Sequence, residues 1–222
     1  LNSYLKRISP IIREHGGFID KYIGDAVMAL FPDSAESALR AAIEMQRAVR
    51  EYNRHRLRQN FDPISIGIGV HTGSVIIGTI GEEERLEGTV ISDAVNLAAR
   101  IEQLTKIYDA PILISQKTLF EIADPTSYHF RVVDQVQVKG KLEPVTVIQI
   151  FDGQSEYILD LFEQTRSAFD RGVHAFLKGE WALAGELFAD VLKVSPNDRA
   201  AQIYRERSQN QSASTKGTID PE

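Results

Sequence analysis

The apolar positions of the first fifteen residues recur at helical spacing. In LNSYLKRISPIIREH (residues 1–15) they return every three or four positions, which places them on one helix face. A second helix is expected from Ser34, whose hydroxyl suits an N-cap, to about Arg58. Its expected buried face consists of Ala38, Ala41, Ala42, Met45, Ala48, Val49 and Tyr52.

Between these helices, Gly16–Phe31 has the pattern of a β-hairpin. Its sequence, GGFIDKYIGDAVMALF, has an apolar run on each side of Gly24-Asp25. Glycine accepts a positive φ without steric cost, so this pair predicts a tight turn. The turn would hold the Asp25 carboxylate at an exposed tip, which suits a hard cation such as Mg²⁺. A solvated turn aspartate is the ordinary alternative.

A strictly alternating strand pattern follows at Ile64–His71. One face is apolar and the other includes Gly67 and Gly69, so another part of the molecule is expected to approach closely there. A second apolar run covers residues 74–80, and an acidic, flexible loop is expected over residues 81–87.

Residues 88–102, GTVISDAVNLAARIE, lead from a short strand into a helix. Ser92 or Asp93 is the expected N-cap, because both side chains accept from free amides. Asn96 and Arg100 stand four positions apart, so they project from the same face of this helix.

Further strands are expected at residues 112–114, 128–138 and 145–151. Strands and helices alternate, but hairpins interrupt them, which favours an α+β sandwich with one mainly antiparallel sheet and helices on one face. A ferredoxin-like β-α-β-β-α-β core fits this order. We expect this first domain to span residues 1–151.

The pattern becomes helical throughout in residues 155–207. The spacing of Phe169, Gly172 and Ala175 resembles a tetratricopeptide unit, followed by the start of another helix. A single unit rarely buries enough surface alone, so it should dock on the first domain, pair with a protein partner or end a longer array. Residues 208–222 are polar and are expected to be disordered.

Composition narrows the functional classes. The chain has 222 residues and a net charge of −6, which argues against a general nucleic-acid binder. It has no cysteine, so disulfides and thiolate chemistry are excluded, and a reducing compartment fits. No apolar run approaches a membrane span, and no membrane contact is expected within the chain. Because it opens at Leu1 inside a helical pattern, we expect a piece of a longer cytoplasmic protein, with or without an upstream membrane tether.

Four segments together resemble the class III nucleotidyl cyclase domain, the family of adenylate and guanylate cyclases. They are HGGFIDKYIGDAVMALF, IGIGVHTGSVIIGTIG, GTVISDAVNLAARIE and VKGKLEPVTV, in the family's order within residues 1–151. The resemblance implies that the 3′-hydroxyl of a nucleoside triphosphate attacks its own α-phosphate and releases pyrophosphate. It also implies Mg²⁺ or Mn²⁺ as cofactor and a homodimer in which each site draws on both protomers.

The resemblance implies two purine-reading residues. Lys21 matches a position where lysine goes with adenine and glutamate with guanine. A lysine donates to adenine N1, whereas guanine N1 is itself a donor. Thr89 matches a second purine position, held by aspartate or threonine in adenylate cyclases. A solvated strand lysine and an ordinary β-branched strand residue are the alternatives.

The other implied roles concern the metal and the phosphates. Asp25 matches the second of two metal-binding aspartates. Asn96 and Arg100 match the helix pair that orients the ribose and stabilises the transition state. Lys139 matches a phosphate-binding lysine, and Lys141 is a weaker candidate. A turn carboxylate, a polar helix face and solvated loop charges are the alternatives.

The chain departs from the family pattern in three places. The family's first metal aspartate lies on a strand before the opening helix, and the sequence has no matching motif. Gly88 replaces a frequent aromatic residue, and Ser92 replaces a glycine. Neither replacement removes a group with a direct chemical role.

These matches predict an adenylate cyclase domain that makes cyclic AMP from ATP in intracellular signal transduction. One open alternative is a catalytically inactive regulatory or dimerisation domain. The joint retention of Lys21, Asp25, Thr89, Asn96 and Arg100 argues against it. Another is a GTP-using enzyme, although Ile23–Val27 does not match the Gly-Gly-Asp/Glu-Glu-Phe signature of diguanylate cyclases. A third is an interaction scaffold acting through the helical segment.

Overall fold

The computed structural model describes residues 2–82, 85–137 and 144–216 and has the predicted α+β class. The elements, in chain order, are α1 (Asn2–Glu14), β1 (Phe18–Ile23), β2 (Ala26–Leu30), α2 (Ala35–Arg58), β3 (Ile68–Val70), β4 (Ile76–Glu82), β5 (Arg85–Ile91), α3 (Asp93–Tyr108), β6 (Ile112–Ser115), α4 (Gln116–Phe120), β7 (Phe130–Val136), β8 (Val145–Ile150), α5 (Glu156–Leu177), α6 (Trp181–Val194) and α7 (Arg199–Lys216). Among these helices, none is long and apolar enough to cross a membrane.

The described strands form three sheets. The pairs β1–β2 and β4–β5 are separate antiparallel hairpins, and a four-stranded sheet has the order β3-β6-β8-β7. In that larger sheet β3 runs parallel to β6, whereas β8 is antiparallel to both of its neighbours. The predicted hairpin around Gly24-Asp25 is confirmed as β1–β2.

Both faces of the four-stranded sheet are covered by helices. Ile112 and Ile114 of β6 pack with Leu39 of α2 on one side. Leu113 and Val147 belong to a cluster with α3 and α5–α7 on the other. This differs from the expected helices on one face. The reason is that β6 is apolar at consecutive positions, which is typical of a strand buried on both sides.

Two predicted boundaries differ for identifiable reasons. The strand expected over Ile64–His71 pairs with a neighbouring strand only at β3. Before β3, side chains of α2 take the backbone hydrogen bonds that a partner strand would otherwise make. Asn53 bonds both the amide and the carbonyl of Ile64, and Gln46 donates to the carbonyl of Ile66 at 2.9 Å. Most of residues 81–87, where a loop was expected, belong to strands instead, since β4 and β5 stay paired as far as Glu82 and Arg85.

Helices α5–α7, here called the helical module (residues 156–216), dock on the first domain. The rings of Phe169, Phe188 and Tyr204 contact one another, and the same apolar cluster contains Leu97 and Ile101 of α3. Docking was one of three expected outcomes for this segment. The tetratricopeptide resemblance stays a prediction.

The predicted disorder from Ser208 onward is corrected for residues 208–216, which form the end of α7. Ser208 is buried, and its hydroxyl donates to the carbonyl of Tyr204 at 2.8 Å. Ser208 is thus packed, whereas Gln209, Asn210 and Gln211 continue the helix with exposed side chains. Residues 217–222 lie outside the described part of the chain.

Candidate active site

Helix α3 lies directly on strand β3. A Cβ atom at Gly69 would collide with the backbone of Ala98 and Glu102, so only glycine permits this approach. The close approach expected on the small-residue face of this strand is thereby identified as the approach of α3. Contact between the two backbones therefore fixes the distance between α3 and β3.

The rotation of α3 exposes the two residues predicted from its spacing. Leu97 and Ile101 are almost fully buried, at 1% and 0% exposure, and they anchor the helix in the core. Asn96 and Arg100 lie on another face, and both are exposed. Among the described residues, neither makes a side-chain hydrogen bond or ion pair with the protein. Their donors are free to meet a ligand.

The N-terminus of α3 is held by the predicted cap. The Ser92 hydroxyl accepts from the amide of Ala94 at 2.9 Å and donates to the carbonyl of Ser74 at 2.5 Å. This pair of bonds ties the start of α3 to the connection between β3 and β4. It therefore fixes the helix one turn before Asn96.

The β1–β2 turn presents Asp25 as expected. Gly24 has φ +65°, the left-handed conformation that the turn requires, and Asp25 is exposed beside it. The phenol of Tyr4 lies within electrostatic reach, since burial and then the Asp25 charge raise the pKa of Tyr4. Sequence reasoning did not identify Tyr4, because only the packing of α1 on the hairpin brings it near the turn.

Lys21 lies on β1, with an aspartate immediately before it. Its ammonium is 3.3 Å from the carboxylate of Asp20. The register of β1 against β2 shifts between Ile19 and Lys21, which marks a β-bulge at Asp20. Asp20 was also missed from sequence, because a bulge is set by pairing with β2.

The remaining predicted residues lie elsewhere or outside the described region. Thr89 is on β5, opposite Gly78 of β4. Lys139 and Lys141 fall outside the described residues. Within the described ranges, no hydrogen bond or ion pair joins Lys21 or Asp25 to the α3 pair. Within one chain the described candidates therefore lie on three elements: Lys21 and Asp25 on the β1–β2 hairpin, Thr89 on β5, and Asn96 and Arg100 on α3.

The described residues contain no cluster of three or more His, Cys, Asp or Glu side chains that could hold a metal ion. Asp25 therefore stands as one exposed carboxylate donor.

Both hairpins carry exposed apolar side chains. Tyr22 and Ile23 on β1 are 52% and 59% exposed, and Ile76 and Ile77 on β4 are 71% and 62% exposed. Large exposed apolar residues that cluster usually mark a surface that another molecule covers. Their sequence signal was only that of apolar strands, which does not separate core from interface.

Comparison with known proteins places these features in a family context. Residues 1–158 match the family model described as the adenylate and guanylate cyclase catalytic domain. An adenylate cyclase of Anabaena cylindrica is 47% identical over 156 residues, which cover 68% of this chain and 31% of that protein. The crystal structure of the guanylyl cyclase Cya2 aligns with a TM-score of 0.57 and 34% identity, covering 71% of this chain and 81% of that one.

A longer match extends into the helical module. The terminal-differentiation specific adenylate cyclase of Dictyostelium discoideum is 39% identical over 213 residues, or 93% of this chain and 10% of that protein. The chain thus spans less than a third of the length of these two curated relatives. The similarity over the module shows that a related segment follows the corresponding domain in that relative.

Proposed function

This chain belongs to the family of adenylate and guanylate cyclase catalytic domains, as its motifs predicted, and we propose that it acts as an adenylate cyclase. The reaction converts ATP to 3′,5′-cyclic AMP and pyrophosphate. The observation that carries the proposal is the Asn96–Arg100 pair, which is exposed on a helix that Leu97 and Ile101 anchor in the core. Among the described residues neither side chain pairs with the protein, so the donors of both are available to a nucleotide.

The proposed chemistry assigns these two side chains to the reacting atoms. The ribose 3′-oxygen attacks the α-phosphorus, and the bond to the bridging oxygen of pyrophosphate breaks. Negative charge builds on the α-phosphate oxygens in the transition state. Arg100 would donate to those oxygens, because a guanidinium presents several fixed donors. Asn96 would hold the ribose, so that the 3′-oxygen approaches in line.

Base selection would fall to Lys21 and Thr89. The ammonium of Lys21 is a donor that suits N1 of adenine, an acceptor. Thr89 would accept from the 6-amino group. GTP is the competing substrate, since one similar solved structure is that of a guanylyl cyclase.

Members of this family use divalent metal ions, and Asp25 fits as one ligand of Mg²⁺ or Mn²⁺. Its carboxylate is a hard oxygen donor at an exposed turn. Mg²⁺ commonly keeps several waters and is held by one or two carboxylates together with substrate phosphates. When bound, the ion would neutralise charge on the triphosphate. Because Asp25 is exposed, its carboxylate is accessible to a complex of the metal ion and the nucleotide.

A homodimer would complete the site. Two copies packed through the exposed apolar side chains of the β1–β2 and β4–β5 hairpins would bury these side chains around a twofold axis. Each site would then take Asp25 from one copy and the Asn96–Arg100 pair from the other. Within the described part of one chain, no hydrogen bond or ion pair joins Asp25 to Asn96 or Arg100, which is compatible with this division.

The base assignment can be tested in the full-length protein with the double substitution Lys21→Glu and Thr89→Cys. We expect ATP turnover to fall and GTP turnover to rise, measured as cyclic AMP and cyclic GMP formed under matched conditions. The exposed-surface substitution Arg47→Ala should leave the preference unchanged. An unchanged preference in the double variant would refute the base assignment. A wild-type protein that makes neither product would favour the inactive regulatory domain.

A further inference from the structure

We propose that Asp20 is a specificity-determining positioning residue, whose carboxylate holds the ammonium of Lys21 in the orientation that reads the purine. The inference rests on the proposed function, because the role of Lys21 is part of it. No role for Asp20 followed from the motifs. The proposal comes from the geometry of β1.

Asp20 lies in a β-bulge of β1. Ile19 pairs with Ala29, and Lys21 pairs with Met28, so Asp20 is the extra residue on its strand. In a regular strand, successive side chains point to opposite faces, which would keep Asp20 and Lys21 apart. A bulge breaks this alternation and re-aims a side chain. Here it leaves the Nζ atom of Lys21 only 3.3 Å from Oδ2 of Asp20.

The carboxylate of Asp20 is largely buried. The side chain of Asp20 is 13% exposed, whereas that of Lys21 is 39% exposed. Oδ2 of Asp20 is buried and has no hydrogen bond within the described residues, so its contact with Lys21 is an ion pair without hydrogen-bond geometry. A buried charge requires a partner of opposite sign. Among the described residues, Lys21 is the one cation within ion-pair distance of Asp20.

The neighbouring carboxylate restricts the side chain of Lys21. A lysine is a flexible side chain with three donors that otherwise samples many rotamers. An adjacent, buried anion restricts the ammonium before any nucleotide binds, so less freedom is lost on binding. The ammonium of Lys21 can then donate a hydrogen bond to N1 of adenine, which is an acceptor. It cannot do so to N1 of guanine, which is itself a donor.

The test compares wild type with Asp20→Asn in the full-length protein, which keeps the size of the side chain and removes its charge. Binding is measured by calorimetry with 3′-deoxy-ATP and 3′-deoxy-GTP, which lack the attacking hydroxyl and cannot cyclise. We expect the Kd for the adenine analogue to rise about tenfold, with little change for the guanine analogue. In turnover, the KM for ATP should rise by a similar factor while kcat stays close to wild type.

A double-mutant cycle separates positioning from mere stabilisation of the hairpin. In a Lys21→Met background, Asp20→Asn should have no further effect on the preference, because the group it positions is absent. Asp33→Asn, an exposed aspartate after β2, serves as the control and should leave the preference unchanged.

Two results would overturn the inference. One is a lowered melting temperature in Asp20→Asn with an unchanged adenine-to-guanine binding ratio, and the other is an effect that adds fully to that of Lys21→Met. Failure of the proposed function gives a different result. In that case the binding preference and its dependence on Asp20 persist, but no cyclic nucleotide forms from ATP or GTP.

Discussion

Arg100 shows how much a single residue of this site depends on its surroundings. Its position four residues after Asn96 was enough to predict that the two share a helix face, because the helical repeat is a local property. Its exposure depends on burial of Leu97 and Ile101, and the apolar pattern indicated that too. Asp20 is the opposite case. Its contact with Lys21 arises from a bulge, and the pairing that creates a bulge cannot be read from one strand alone.

Arg100→Ala should reduce turnover far more than substrate affinity. If its donors act mainly on charge that builds in the transition state, kcat should fall by about 10²–10³-fold while KM changes little. Steady-state kinetics of the full-length protein with ATP would measure this split. Arg47→Ala, on the exposed surface of α2, is the matched control and should retain wild-type kinetics. A raised KM with intact kcat would contradict the assigned role.

At the scale of elements, the placement of α3 on β3 explains why the α3 pair stands where it does. The sequence predicted both elements and a close approach at the small-residue face of the strand. It did not identify α3 as the approaching element, because that depends on contacts between residues far apart in the chain. The same limit applies to the four-stranded sheet, whose second covered face is formed largely by the helical module.

Gly69→Ala should disturb both stability and activity. The added methyl group would meet the backbone of α3, which cannot rotate aside as a side chain can, so the helix must shift. We expect a loss of about 1–3 kcal/mol in the free energy of unfolding, together with reduced turnover. Gly185→Ala is the control, since its new Cβ would find its nearest neighbour 3.8 Å away on Ser208. Wild-type stability in Gly69→Ala would show that α3 does not rest on this strand.

A buried ion pair joins β7 to the start of α7. The guanidinium of Arg131 donates to Asp198 at 2.6 and 2.9 Å and lies 3.8 Å above the ring of Phe169. The two charged side chains are 4% and 8% exposed, so the pair is shielded from water. The module is therefore attached by a specific polar contact as well as by apolar packing.

Arg131→Met should destabilise the protein by about 3–5 kcal/mol, because it leaves the buried carboxylate of Asp198 without an opposite charge, although the amide of Ala201 still donates to it. Urea denaturation would measure the loss. Combining Arg131→Met with Asp198→Leu should recover part of the stability, since the unneutralised carboxylate is then removed. Lys193→Met breaks an exposed pair with Asp190, where 76% and 59% of the side chains are accessible, and should change stability by less than about 1 kcal/mol. Equal effects in the buried and exposed pairs would refute this account.

At the scale of the whole molecule, the helical module and the first domain share one apolar core. Tyr108, at the end of α3, donates to Asp134 of β7, and Arg207 of α7 contacts both. The module therefore supports the helix that carries the α3 pair. Sequence reasoning predicted a helical segment that needs a docking surface, but three outcomes stayed open because apolar helix faces do not specify their partner.

If each site is shared between two copies of the chain, two variants that are inactive alone should complement each other. Asp25→Asn and Arg100→Ala should each abolish most ATP cyclisation in the full-length protein. When the two variants are co-expressed, a mixed dimer contains one site with both residues intact, so cyclic AMP formation should return to about a quarter of the wild-type rate. A mixture no more active than either variant alone would contradict a site built across two protomers.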